Sequence, residues 1–165
     1  MSYQKWVMSF LCIVFCYQLQ AQALQFDKLK LPQAPQGWSK QITPTQLSYS
    51  NMNVRGSTPF TVILFKGESY TGKQDAAFAR QWRSWLNLSD TAAVPRFRKL
   101  YNASSAPMAS GGIETDGPLG KGYYLLSIYQ CTGYLQAVGI FTTSQKAFKA
   151  EYYDWNIYLT DAVCL

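Results

Sequence analysis

The sequence predicts an α+β domain in which a mainly antiparallel sheet carries two amphipathic helices. Residues 123–130 and 134–142 are β-rich runs flanking Cys131-Thr132-Gly133, the pattern of a hairpin. Phe78, Trp82, Trp85 and Leu86 recur at helical spacing, and so do Phe148, Tyr152, Trp155 and Leu159. The resulting order is strands, helix, strands, helix, with too little alternation for a doubly wound parallel sheet.

The chain opens with Lys5, an apolar run over 6–17, and the small residues of Ala21-Gln22-Ala23. This is the layout of a secretory signal peptide, residues 1–23, cleaved after Ala23. A bilayer span takes about 20 apolar residues, and Gln18, Gln20 and Gln22 interrupt the run before that, so no stable membrane span is expected after cleavage. Cys12 and Cys16 follow Leu11 and Phe15 instead of small residues, which argues against a lipid-modified cysteine.

Residues 24–36, rich in Gln and Pro, read as an extended, partly loose lead-in to a single α+β domain over 37–165. Short strands are expected at 38–42 and 46–49, with a turn at 50–53. Residues 60–66 (FTVILFK) form the clearest early strand, apolar enough to be buried on both faces. A loop over 67–73 leads to a helix over 74–88, with Arg80, Arg83 and Asn87 off its apolar stripe, and Pro95 blocks continuation. Residues 98–103 and 112–116 are weaker strand candidates. Thr143 or Ser144 can cap a last helix running to about Leu159.

Cleavage removes two of the four cysteines and leaves Cys131 and Cys164, an even pair in an exported chain, which suggests a disulfide. If the last helix packs antiparallel to the strand from Tyr134, it returns Cys164 toward the hairpin tip at Cys131. A bridge closing about 30 residues would contribute roughly 3–4 kcal/mol. Losing Lys5 lowers the 15 basic residues by one against 9 acidic ones, a spread of charge that mainly aids solubility. The one basic cluster is Arg96, Arg98 and Lys99, and export argues against a nucleic-acid partner.

The chain has no histidine, which removes Ser-His-Asp and Cys-His catalysis and the usual zinc ligands. No metal site or cofactor is expected. Gly67-Glu68-Ser69-Tyr70-Thr71-Gly72-Lys73-Gln74 matches GxxxxGK between a strand and a helix. Gln74 stands where a Mg²⁺-binding hydroxyl belongs, however, and no second Walker aspartate follows. The motif reads as a glycine-containing turn into a helix N-terminus. Glu114 and Asp116 lie at i, i+2, a spacing open to glycoside chemistry or to a solvated loop edge. With 12 Tyr and 5 Trp, aromatic side chains exceed what the helix stripes absorb. Tyr123 and Tyr129 share one sheet face and Tyr124 takes the other. Asn87-Leu88-Ser89 and Asn102-Ala103-Ser104 fit the glycosylation pattern. Candidate ligand contacts at loops and strand ends are Tyr70, Arg96, Arg98, Tyr101, Lys121 and Tyr123.

Gly37-Trp38, the strand Val62-Ile63-Leu64-Phe65-Lys66, Thr71-Gly72, Phe78 with Trp82, the late hairpin and the closing aromatic helix form a series over most of 37–160. In this series the chain resembles small exported bacterial proteins with a PsbP-like α/β/α sandwich. The resemblance implies an accessory or binding protein, and no family catalytic or ligand motif is matched here. A cystatin-like or nuclear-transport-factor-like helix-on-sheet fold is the alternative. The expected function is that of an exported, periplasmic or secreted, non-enzymatic accessory protein binding an envelope protein, peptide or small ligand. The alternative is a hydrolase of cell-envelope polymer or glycan using Glu114 and Asp116.

Overall fold

The computed structural model describes residues 24–32, 37–52, 55 and 58–165, with 150–155 described by backbone alone. The predicted signal peptide lies outside the described residues, as do the end of the 50–53 turn and the side chains of Tyr152 and Trp155. The strands are β1 Leu24–Phe26, β2 Leu29–Leu31, β3 Ser39–Ile42, β4 Gln46–Ser50, β5 Thr61–Phe65, β6 Glu68–Ser69, β7 Phe97–Tyr101, β8 Pro107–Thr115, β9 Gly122–Cys131, β10 Tyr134–Thr142 and β11 Val163–Cys164. The helices are α1 Gln74–Leu86 and α2 Gln145–Thr160.

The main sheet runs β3-β4-β5-β10-β9-β8-β7, with β6 added beside β10. Its pairings are antiparallel, as predicted. The centre is the β9–β10 hairpin, where Cys131 faces Tyr134 and the loop is Thr132-Gly133 alone. Gly133 sits at φ 67°, the left-handed position that a side chain would strain. Side chains alternate between two cores. Tyr124, Leu126 and Ile128 of β9 join Phe78, Trp82 and Trp85 of α1. Leu125 and Tyr129 join Leu64, Val138 and Leu159 on the opposite face. Both faces being covered, the central strands read as continuous apolar runs.

Helix α1 buries the predicted stripe of Phe78, Trp82, Trp85 and Leu86, and Ala77 with it. Phe78 stacks on Phe97 at 4.5 Å and Trp85 meets Tyr124 edge-on at 5.2 Å. The Trp85 ring lies against Gly139, where a Cβ would come within 2.8 Å of it. The helix stops two residues before the predicted end because Asn87 turns left-handed, at φ 54°, and its N–H closes back on the last carbonyls. Ser144 caps α2, its Oγ accepting from the Ala147 amide at 3.1 Å.

Of the lead-in, residues 24–31 contribute strands to a small sheet, and residues 33–36 lie outside the described residues. β1 and β2 pair as a hairpin, and β11 adds to β2 with Val163 opposite Lys30. Leu29 and Leu31 are 0% exposed in the core. Gln136, itself 1% exposed, anchors this small sheet. Its Nε2 donates to the carbonyls of Phe26 (2.7 Å) and Phe65 (3.1 Å), and its Oε1 accepts from the Lys28 amide (3.0 Å). The architecture is therefore a three-layer sandwich: α1, the main sheet, then α2 with the small sheet.

Two strand expectations also shift. β8 begins at Pro107, well before residue 112. The strand predicted to reach residue 103 ends at Tyr101 because the Asn102 side chain builds a turn. Its Oδ1 accepts from the Ser104 amide, the Ser104 hydroxyl and the Ala106 amide at 3.1, 3.0 and 2.8 Å. Asn102 is buried, which sets it against the glycosylation reading. Cys131 and Cys164 stand at disulfide distance, with Cα atoms 5.8 Å apart, at the hairpin tip where the topology argument placed them.

Candidate functional site

A cleft of about 810 Å³ opens at the hairpin tip beside the two cysteines. Three segments meet there: the polar loop 104–107, the tip 130–134, and Lys28 with Cys164 and Leu165. The disulfide pair forms one wall. Ser104 is fixed across it, accepting from the Cys164 amide at 3.1 Å, and Leu165 N–H donates to the Lys28 carbonyl at 2.9 Å. Ser105, next to Ser104, holds φ 60°, an uncommon conformation for a residue with a side chain.

Tyr134 dominates the rim. Its ring covers Gly67, where a Cβ would overlap it, and its hydroxyl donates to the Asp27 carboxylate, which also accepts from the Gly67 amide. Partial burial, then the hydrogen bond to Asp27 and its charge, push the Tyr134 phenol up to about 12. The phenol thus keeps its proton across the neutral range, and that proton is engaged by Asp27. Lys28 is the other ionisable side chain of the lining, beside hydroxyls from Ser104, Ser105 and Thr132 and the Gln130 amide. Such a surface can hold a polar ligand by hydrogen bonds and a single positive charge.

None of the six predicted contact residues lines this cleft. Arg96, Arg98 and Tyr101 instead collect along β7, an edge of the main sheet. Lys121 and Tyr123 lie at the start of β9, the end remote from the tip. Tyr123 stacks on Phe148 at 5.1 Å, and its phenol is raised by partial burial and by a hydrogen bond to Glu114. Tyr70 is structural: its hydroxyl donates to the Lys73 carbonyl at 3.0 Å, and the Arg80 guanidinium lies 4.9 Å over its ring. The cleft had a sequence signal, because the Cys131–Cys164 pairing already brings the tip and residue 164 together. The missing step was the Asn102 turn, which brings the third wall.

The carboxylate pair is divided. β8 ends at Thr115, so strand alternation does not extend to Asp116. Glu114 faces Tyr123 across the β8–β9 register, while the Asp116 charge acts on Tyr124, whose ring is on the α1 face. Both acids are exposed, and neither lines the main cleft or the apolar dimple of about 170 Å³ beside Trp82 and Ile113. The first half of the GESYTGKQ segment is engaged within the fold. Glu68 and Ser69 pair with Leu135 and Tyr134, the Gly67 and Tyr70 amides donate to Asp27 and the Gly133 carbonyl, and Glu68 pairs with Arg80. Amides spent in this way cannot face an anion. No helix among the described residues is long and apolar enough to cross a membrane.

The layered antiparallel sheet with one helix on one face, and a helix plus short hairpin on the other, is a PsbP-like fold. It matches the solution structure of cyanobacterial PsbP (CyanoP) from Synechocystis sp. PCC 6803 with a TM-score of 0.58 over 88% of this chain and 94% of that one. Sequence identity is 8%, so the likeness is one of fold. No protein-family model and no curated protein matches the chain.

Proposed function

We propose that the chain is an exported accessory protein that binds, without transforming, an envelope protein, peptide or small ligand in the cleft at the hairpin tip. The cleft itself carries this reading: about 810 Å³ of space is walled by hydroxyls, an amide, one ammonium and a phenol held protonated. A protonated phenol and a lysine suit recognition better than general-base chemistry at neutral pH. The PsbP-like fold and the cysteines at disulfide distance support it, the latter fitting an oxidising compartment.

The test is to screen purified protein against envelope peptides and glycans and then map hits by amide chemical shifts. Shifts are expected at Ser104, Ser105, Thr132 and Gly133. Thr132→Trp, which fills the cleft from an exposed loop position, is expected to weaken binding by about tenfold or more. Shifts confined to other surfaces, or full affinity in the tryptophan variant, would overturn the assignment.

A further inference from the structure

We propose that the free edge of β7 is a second binding site, taking an acidic, extended peptide segment of another protein by strand addition. β7 is the last strand of the main sheet and, among the described residues, pairs with β8 alone. The Asn102 amide donates to the Ala106 carbonyl at 3.1 Å, just beyond the last β7–β8 pair. In an antiparallel ladder, backbone groups alternate in direction. Residues in phase with Asn102, namely Arg98 and Leu100, therefore turn toward β8. Phe97, Lys99 and Tyr101 aim their N–H and C=O groups outward, leaving a row of three donors and three acceptors.

Charge selects the occupant. Arg96, Arg98 and Lys99 are exposed along this edge, and Lys99 alone has an ion-pair partner among the described residues, Asp75 at 2.6 Å. Charged edges commonly guard against edge-to-edge association. Here the charges share one sign, so a second copy meets its own arginines and is repelled, whereas a strand with acidic residues is attracted. Tyr101, 73% exposed at the strand end, offers an aromatic face that the fold itself does not use. The opposite edge, β3, carries Lys40 alone, already 5.9 Å over the Tyr49 ring, and serves as an internal control.

The experiment titrates isotope-labelled protein at low salt with a short peptide alternating glutamate with valine and threonine. The expected result is amide shifts at Phe97, Lys99 and Tyr101, none along β3, and affinity that falls as salt screens the arginines. Arg96→Glu with Arg98→Glu should cost about tenfold or more. Lys99→Pro should abolish binding while keeping the fold, because the lost N–H points to solvent on an edge strand. A peptide methylated on its backbone nitrogens tests the same hydrogen bonds without altering the protein. Equal binding by the methylated peptide or by a lysine-for-glutamate peptide overturns the proposal. So does a sulfated glycan that matches the peptide without shifting the three outward amides.

Discussion

Replacing Cys131 and Cys164 by serine opens a loop whose ends are 33 residues apart in sequence. The cross-link acts chiefly on the unfolded chain, whose ends it keeps together. The chain-entropy relation gives about 3 kcal/mol for a short loop of about 15 residues and about 4.7 for one of about 100, so this span corresponds to about 4 kcal/mol. For a domain of this size, each kcal/mol shifts the melting temperature by roughly 2–4 °C, so the variant should melt roughly 10–15 °C lower. Urea unfolding of the oxidised protein, the reduced protein and the double serine variant measures the effect directly. The last two should coincide, with a lower midpoint and a steeper slope, since an unbridged chain exposes more surface when unfolded. Superimposable curves for oxidised and reduced protein would refute the reasoning.

Gln136→Leu removes three hydrogen bonds, two of them to the first hairpin and one to β5, and leaves the Phe26 and Phe65 carbonyls and the Lys28 amide without that partner. At about 1 kcal/mol each the loss should be roughly 2–4 kcal/mol in denaturant unfolding, with faster amide exchange at Leu29 and Leu31. Tyr134 gives a pH dependence. Its folded pKa, about 12, lies above the ordinary tyrosine value of about 10. Its contribution to stability is complete below about pH 10 and disappears as pH rises toward 12. Tyr134→Phe should flatten that part of the alkaline stability profile, and phenolate absorbance should show one fewer late-titrating group.

Much of the sandwich was legible because its central pieces carry their own periodicity. The β9–β10 hairpin has a turn glycine between two apolar runs, and Phe78, Trp82 and Trp85 mark one helix face by spacing alone. β8 was only half legible. Ala109, Ser110, Gly111 and Gly112 have no strand signature of their own, and they are extended because β7 and β9 supply ladders on both sides. The first hairpin was missed for a related reason: Leu24, Leu29 and Leu31 are covered by residues far along the chain, among them Leu64, Tyr129, Val138 and Leu159. The cleft was the least legible feature, because it is a concavity among three segments and no single segment has a pattern that records it.

Pairing of β2 with β11 joins the first described strands to the last, which places a constraint on timing. Contacts of such sequence separation form slowly, because almost the entire chain must be gathered to close them. A chain emerging N-terminus first, from a ribosome or through a membrane pore, presents Leu29 and Leu31 long before Val163 arrives to complete their sheet. During that interval the free edge of β2 is open to chaperones or to other chains. Maturation of this protein should therefore be limited by when β11 appears, and the Cys131–Cys164 link would record that the gathering is complete.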